Sequence, residues 1–171
     1  LAAPQAGQGN DAAPEHPGPL HGQRALVVDD NASARAILCA MLQQLGMHAD
    51  AAAGGQEAIA LLQQASAAGH AYQLVLLDWL MPGMDGLATA RGIGAARLPA
   101  TVPIVLMAGT GGYEEVSAQA AQLGLQHILT KPVSQSALHD AMIEALRDGT
   151  HAPPHAAPPR AMALAHDFSA I

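Results

Sequence analysis

The stretch LVLLDWLMPGMDG at residues 74–86 decides how the rest of the chain is read. The aliphatic run Leu74-Val75-Leu76-Leu77 goes straight into Asp78. A continuous apolar run ended by a polar residue and a Pro/Gly turn predicts a strand buried on both faces. Asp78 then stands at the carboxyl end of a central strand, where open α/β sheets keep their ligand crevices. Pro82, Gly83 and Gly86 form the following loop, and a helical pattern restarts over 87–97. A lone aspartate at a strand end can equally cap the next helix. Its meaning depends on what the other strand ends deliver.

Composition narrows the field. The chain has 171 residues, enough for one domain with a core and tails. Half of it is hydrophobic but only 2% is aromatic, so Leu, Ile, Val and Met must build that core. A net charge of −7 with seven Lys and Arg leaves no basic footprint for nucleic acid. One cysteine, Cys39, excludes an intramolecular disulfide framework and fits a reducing, cytoplasmic compartment. No apolar run approaches the roughly 20 residues that span a bilayer, so this segment is expected to make no membrane contact. The first residues lack the charged start and apolar segment of a signal peptide. A start at Leu1 reads as a piece of a longer chain.

Residues 1–21, rich in Ala, Pro, Gly and Gln, have no hydrophobic period and read as a disordered linker. Ala25-Leu26-Val27-Val28 is a second apolar run, ending at Asp29-Asp30-Asn31. Asn31 or Ser33 can cap the helix that follows, with Ile37, Leu38, Met41, Leu42 and Leu45 on its apolar stripe and Gly46 as its stop. Residues 47–53 make a weak strand, since alanine has little strand preference. A helix runs from Gly54-Gly55 through Glu57, Ile59, Leu61 and Leu62 to Gly69. Beyond the central loop, Ile104-Val105-Leu106-Met107 is another buried strand, followed by a glycine-rich loop at 108–112 and a helix over 113–123. Residues 127–130 form the last strand, closed by Lys131-Pro132, and Ser134 caps a helix through Leu138, Met142, Ile143 and Leu146. From Gly149 the chain reads as a Pro/Ala-rich linker, 149–171.

Five strand–helix units in one domain, residues 22–148, imply a parallel sheet with right-handed crossovers. They suit a flavodoxin-like doubly wound (βα)5 fold with strand order 2-1-3-4-5. Its crevice lies at the ends of strands one and three, which carry Asp29, Asp30 and Asp78. Three converging carboxylates repel, and either raised pKa values or a divalent cation relieves them. An all-oxygen set with few protein ligands suits Mg2+ better than Ca2+. Lys131, at another strand end, can reach the same crevice. Carboxylates, a metal and a lysine around one aspartate make a setting for phosphoryl transfer, with Asp78 as nucleophile.

VVDDN at 27–31, LLDWLMPGMDG at 76–86 and LTKPV at 129–133 resemble the receiver domain of two-component response regulators. The resemblance covers about residues 22–148. It implies that Asp78 is the phosphoacceptor, charged by a phosphohistidine on a partner kinase or phosphotransfer domain. It implies that Asp29, Asp30, Asp78 and the backbone carbonyl of Leu80 hold Mg2+, that Lys131 contacts the phosphoryl group, and that the bond to Pro132 is cis. The chain's own catalysis would be limited to assisting transfer to itself and hydrolysis of the aspartyl phosphate. The first motif and GTGGYEEV…KPV look most like receivers of hybrid sensor histidine kinases, so the segment is expected in the cytoplasmic part of such a transferase. This chain carries no His-box pattern and no nucleotide-binding glycine motif.

Two positions depart from the family pattern. Ala108 stands where a Thr or Ser hydroxyl usually meets the phosphoryl group, and Ile128 replaces the aromatic that follows it. Thr110 is the nearest substitute hydroxyl. The alternative function is therefore a degenerate receiver acting as a constitutive protein-interaction module. An aspartyl-phosphate hydrolase would want an acid two residues after the nucleophile, where Leu80 stands. A flavin-binding fold would want a phosphate-cradling loop in place of the acidic Asp29-Asp30 mouth. The nine histidines read as non-catalytic, Met81 and Met84 as packing, and Trp79 as a reporter bordering the crevice. The helices at 113–123 and from Ser134 form the family's usual interaction face.

Overall fold

The structure, a computed structural model, describes residues 18–151. Five strands alternate with five helices: β1 (Arg24–Val28), α1 (Ala32–Gln44), β2 (His48–Ala52), α2 (Gly55–Ala67), β3 (Leu74–Asp78), α3 (Gly86–Ala95), β4 (Ile104–Ala108), α4 (Tyr113–Gln122), β5 (His127–Thr130) and α5 (Gln135–His151). All strand pairs are parallel, in the order β2-β1-β3-β4-β5. This is the flavodoxin-like α/β arrangement that the alternation predicts.

Every residue of β3 and β4 is buried, because helices cover both faces of the sheet. Side chains alternate between those faces. Leu26, Val28, Val75, Leu77 and Leu106 meet Leu62, Leu87, Ile93 and Val116 from α2, α3 and α4. Val27, Leu74, Leu76, Val105 and Met107 meet Leu38 and Leu42 of α1 and Leu138 and Met142 of α5. Both layers are mainly aliphatic, with Tyr72 buried and Trp79 partly buried in the first, and the carboxylates fall where β1 and β3 end, at Asp29 and Asp78.

Four local expectations change. Ile37 is not on the buried stripe of α1 but 60% exposed, while Leu38 and Leu42 are buried. At about 100° per residue, Ile37 sits at the edge of an arc centred on Leu38. The third helix ends at Ala95, capped by Ala96, and Arg97 takes a left-handed φ of 55° that breaks the pattern. Leu20, inside the stretch whose composition reads as linker, is buried in the α1/α5 layer. The last helix runs to His151, past Gly149. The rest of the two linker readings, 1–17 and 152–171, lies outside the described residues. Among the described residues, no helix is long and apolar enough to cross a membrane.

Candidate functional site

The site forms where three strands end. β1 runs out at Val28, and the Asp29 N–H still pairs with the Ala52 carbonyl at 3.2 Å. The chain then turns tightly into α1. Asp29 Oδ1 accepts the Asn31 N–H at 2.9 Å, and Asn31 Oδ1 accepts the Ala34 N–H at 2.8 Å as the helix N-cap. Asn31 rather than Ser33 therefore caps the helix. The Asp29 carboxylate is buried at 1% exposure, whereas Asp30 is exposed.

Asp78 ends β3, opposite Met107 on β4, and the Trp79 N–H donates to the Met107 carbonyl at 2.8 Å. The loop that follows folds back tightly, and the Gly86 N–H donates to the Trp79 carbonyl at 2.9 Å. A Cβ at Gly86 would lie 2.6 Å from the Asp78 carbonyl oxygen, so only glycine permits this approach. Asp85 caps α3 by accepting the Ala88 N–H at 2.8 Å. Met81 is buried and Met84 half-buried, both as packing residues, and Trp79 is half-buried beside Asp78.

Lys131 follows β5, its N–H donating to the Ala108 carbonyl at 2.8 Å, and the Lys131–Pro132 peptide is cis. Its ammonium spans the crevice, 2.7 Å from Asp78 Oδ1 and 3.6 Å from Asp29 Oδ2. Burial, the largest influence, pushes the Asp78 carboxyl above its ordinary range, and the Asp29 and Asp30 charges add to it. The hydrogen bond and charge of Lys131 pull the other way without cancelling the rise. Burial acts to lower Lys131, but its contacts with Asp78 and Asp29 outweigh that and raise it. The lysine thus keeps its proton, and Asp78 is the group whose ionisation is contested.

One carboxylate oxygen each from Asp29, Asp30 and Asp78 lie within 4.8 Å of one another. Asp29 Oδ2 is fully buried and has no hydrogen-bond partner. A buried anionic oxygen without a donor is costly, and a coordinated cation supplies what is missing. The donors are all hard oxygens, so the residues present fit a hard divalent ion.

The remaining candidates are more dispersed. Leu80 is on the loop after Asp78 with its side chain 70% exposed. Ala108 is fully buried at the end of β4, and Ile128 is half-buried on β5 against the same apolar layer. Thr110 opens an exposed 3-10 turn, Thr110–Gly112. Ser134 Oγ accepts the Ala137 N–H at 3.1 Å. Of the histidines, half-buried His127 faces Asp148 at 3.0 Å, away from the acidic cluster. Arg35 was invisible to sequence reasoning: its Nη1 donates to the Asp29 carbonyl at 2.8 Å. The only sequence signal was its place four residues after the Asn31 cap.

A parallel α/β domain with an acidic triad and a lysine at the carboxyl edge of its sheet defines a class of doubly wound domains built around one strand-end aspartate. Comparison with known proteins fixes the family: residues 25–143 match the response regulator receiver domain, and the chain belongs to that family. It is 32% identical over 124 residues to the sensor protein GacS of Pseudomonas syringae, covering 71% of this chain and 13% of that protein. It is 30% identical over 130 residues to hybrid signal transduction histidine kinase L of Dictyostelium discoideum, covering 75% of this chain and 8% of the relative. The chain thus spans a small part of these relatives. The solved structure of Vibrio cholerae chemotaxis protein CheY4 superposes with a TM-score of 0.65 at 25% identity, over 73% of this chain and 99% of that one. The protein is a receiver domain of two-component signalling, homologous to the receivers of hybrid kinases.

Proposed function

We propose that this receiver takes a phosphoryl group onto Asp78 from a phosphohistidine on a kinase or phosphotransfer partner. The observation that carries the reading is the Lys131 ammonium held 2.7 Å from Asp78, in a crevice it shares with Asp29 and Asp30. In the transfer an Asp78 oxygen attacks phosphorus, and the P–N bond breaks. Its electron pair stays on the imidazole nitrogen, which takes up a proton. Lys131 moves from the carboxylate to the incoming phosphoryl oxygens, where it offsets their charge. Asp29, Asp30, Asp78 and the Leu80 carbonyl are the proposed holders of Mg2+, which would supply further neutralisation and orient the phosphoryl group. Burial raises the Asp78 pKa, and a dication held by these residues would favour the Asp78 anion, the form that attacks.

The acceptor unit proposed is residues 22–148, sitting on the cytoplasmic side within a hybrid sensor kinase. Similarity to GacS and kinase L supports that setting. A second reading is motivated by Ala108: with no hydroxyl at this buried position, a receiver can act as a constitutive binding module. Trp79 fluorescence tests the choice during titration with Mg2+ and then a small phosphodonor, in wild type and Asp78→Asn. A metal response plus an Asp78-dependent phosphoryl adduct by mass spectrometry supports the acceptor. Silence to both, with no adduct, supports the binding module.

A further inference from the structure

We infer that Arg35 is a positioning residue for the cation site: its guanidinium clamps the Asp29 carbonyl and thereby sets where the Asp30 carboxylate stands. The inference rests on the metal-binding reading above and adds to it a residue outside the acidic cluster.

The turn from β1 into α1 is short, and several of its polar groups are already engaged. Asp29 Oδ1 is occupied by the Asn31 N–H, and the Asn31 side chain is occupied by the Ala34 N–H. Asp29 Oδ2 alone remains, buried and aimed into the crevice. The Asp29 backbone carbonyl points instead toward α1, where Arg35 Nη1 donates to it at 2.8 Å. That carbonyl and the Asp30 N–H belong to one rigid peptide plane. Fixing the carbonyl holds that plane, so the Asp30 side chain departs from a backbone with one fewer free dihedral. Asp30 is exposed, so packing does not place it. The half-buried Arg35 is itself anchored, because its own N–H closes the first turn of α1 on the Asn31 carbonyl at 3.0 Å. Cap, carbonyl and guanidinium thus tie the two acidic residues to the start of one helix.

The alternative role for Arg35 is purely electrostatic, and it has the opposite sign. A guanidinium held against the Asp29 backbone repels a dication bound beside it, so deleting a mere charge would tighten cation binding. Deleting a clamp loosens it. Partners outside a metal's ligand set typically contribute tenfold or more to affinity.

The experiment is a Mg2+ titration of the full chain by calorimetry, with Trp79 fluorescence as a second readout, in wild type, Arg35→Met and Arg35→Gln. Both substitutes are good helix formers without a guanidinium. Melting in metal-free buffer checks that each variant is folded. The expected result is Mg2+ affinity about tenfold weaker in both variants. Saturating Mg2+ should restore phosphorylation by a small phosphodonor to the wild-type extent. Unchanged or tighter Mg2+ binding in the variants overturns the inference, and so does a fall in melting temperature with affinity intact. A wild type that does not bind Mg2+ overturns the metal reading itself, an outcome separate from wild type and variants binding alike.

Discussion

Lys131 Nζ lies 2.7 Å from Asp78 Oδ1, so the crevice's one ammonium is already paired with the carboxylate proposed to react. The same nitrogen is 3.6 Å from Asp29 Oδ2, and it stands in for part of the positive charge that three carboxylates demand. Removing it leaves Asp78 buried beside two like charges. Lys131→Met is therefore expected to destabilise the metal-free protein at neutral pH by about 1–2 kcal/mol. That is below the value for a fully buried pair, because the lysine is more than a third exposed. Denaturant melts of both proteins test it. The loss should shrink in acid, as Asp78 protonates and no longer needs the partner.

The raised pKa of Asp78 makes a prediction with a definite sign. A carboxyl that holds its proton more tightly when folded contributes stability below the ordinary carboxylate range. That contribution disappears as pH rises through the raised value. Asp78→Asn keeps the neutral shape at every pH. In metal-free buffer at neutral pH the variant should be the more stable by about 1 kcal/mol. The difference should close as pH falls below the ordinary carboxylate range. Mg2+ should then raise the melting temperature of wild type more than that of Asp78→Asn, because ligand binding to the folded state adds stability by mass action. An advantage for Asp78→Asn that grows toward acid would show the burial argument to be wrong.

Gly86 tests how closely the acceptor strand is held. A methyl group there would meet the Asp78 carbonyl oxygen at 2.6 Å and Trp79 Cα at 2.9 Å, both backbone atoms that cannot rotate away. Gly86→Ala should cost about 1–3 kcal/mol in a denaturant melt. It should also shift Trp79 emission, since the Trp79 carbonyl loses its 2.9 Å bond from the Gly86 N–H. Gly94, whose added Cβ meets nothing within 4 Å, is the control position. Equal effects at both sites would remove close packing as the reason for glycine at 86.

The parts of this molecule that were legible in the sequence are those where one residue type does one job. Leu74–Leu77 and Ile104–Met107 are apolar throughout because both faces of their strands are covered, and buried strands leave that mark. Asp29, Asp30, Asp78 and Lys131 could be placed together because strand order fixes which strand ends meet. The strand HADAA, β2, was faint: it is an edge strand and owes its form to pairing with β1 rather than to alanine. Ile37 counted as core only because its period nearly fits, and Leu20 did not count because its neighbours are Pro and Gly. Arg35 could not be found at all. Its partner is a backbone carbonyl six residues back, a contact that has no residue preference of the kind that marks the Asn31 and Ser134 caps.

If Asp78 is phosphorylated as proposed, Ala108 is the position expected to govern the conformational read-out. It is fully buried, its carbonyl already holds the Lys131 N–H at 2.8 Å, and its methyl faces the layer that includes Ile128 and Val116. A hydroxyl placed in that apolar layer is expected to stay unpaired until, on the proposed reading, a phosphoryl oxygen arrives. Ala108→Thr should accordingly lower stability by about 1–2 kcal/mol in the unmodified protein, as buried unpaired hydroxyls do. Part of that loss should return with beryllofluoride bound, when the hydroxyl gains its partner. If the missing hydroxyl weakens the conformational response, beryllofluoride should move amide resonances over residues 112–147 further in Ala108→Thr than in wild type. Shifts of comparable size in the two proteins would mean that wild type couples its acceptor to α4, β5 and α5 without a hydroxyl at 108, and the weakened read-out would have to be abandoned.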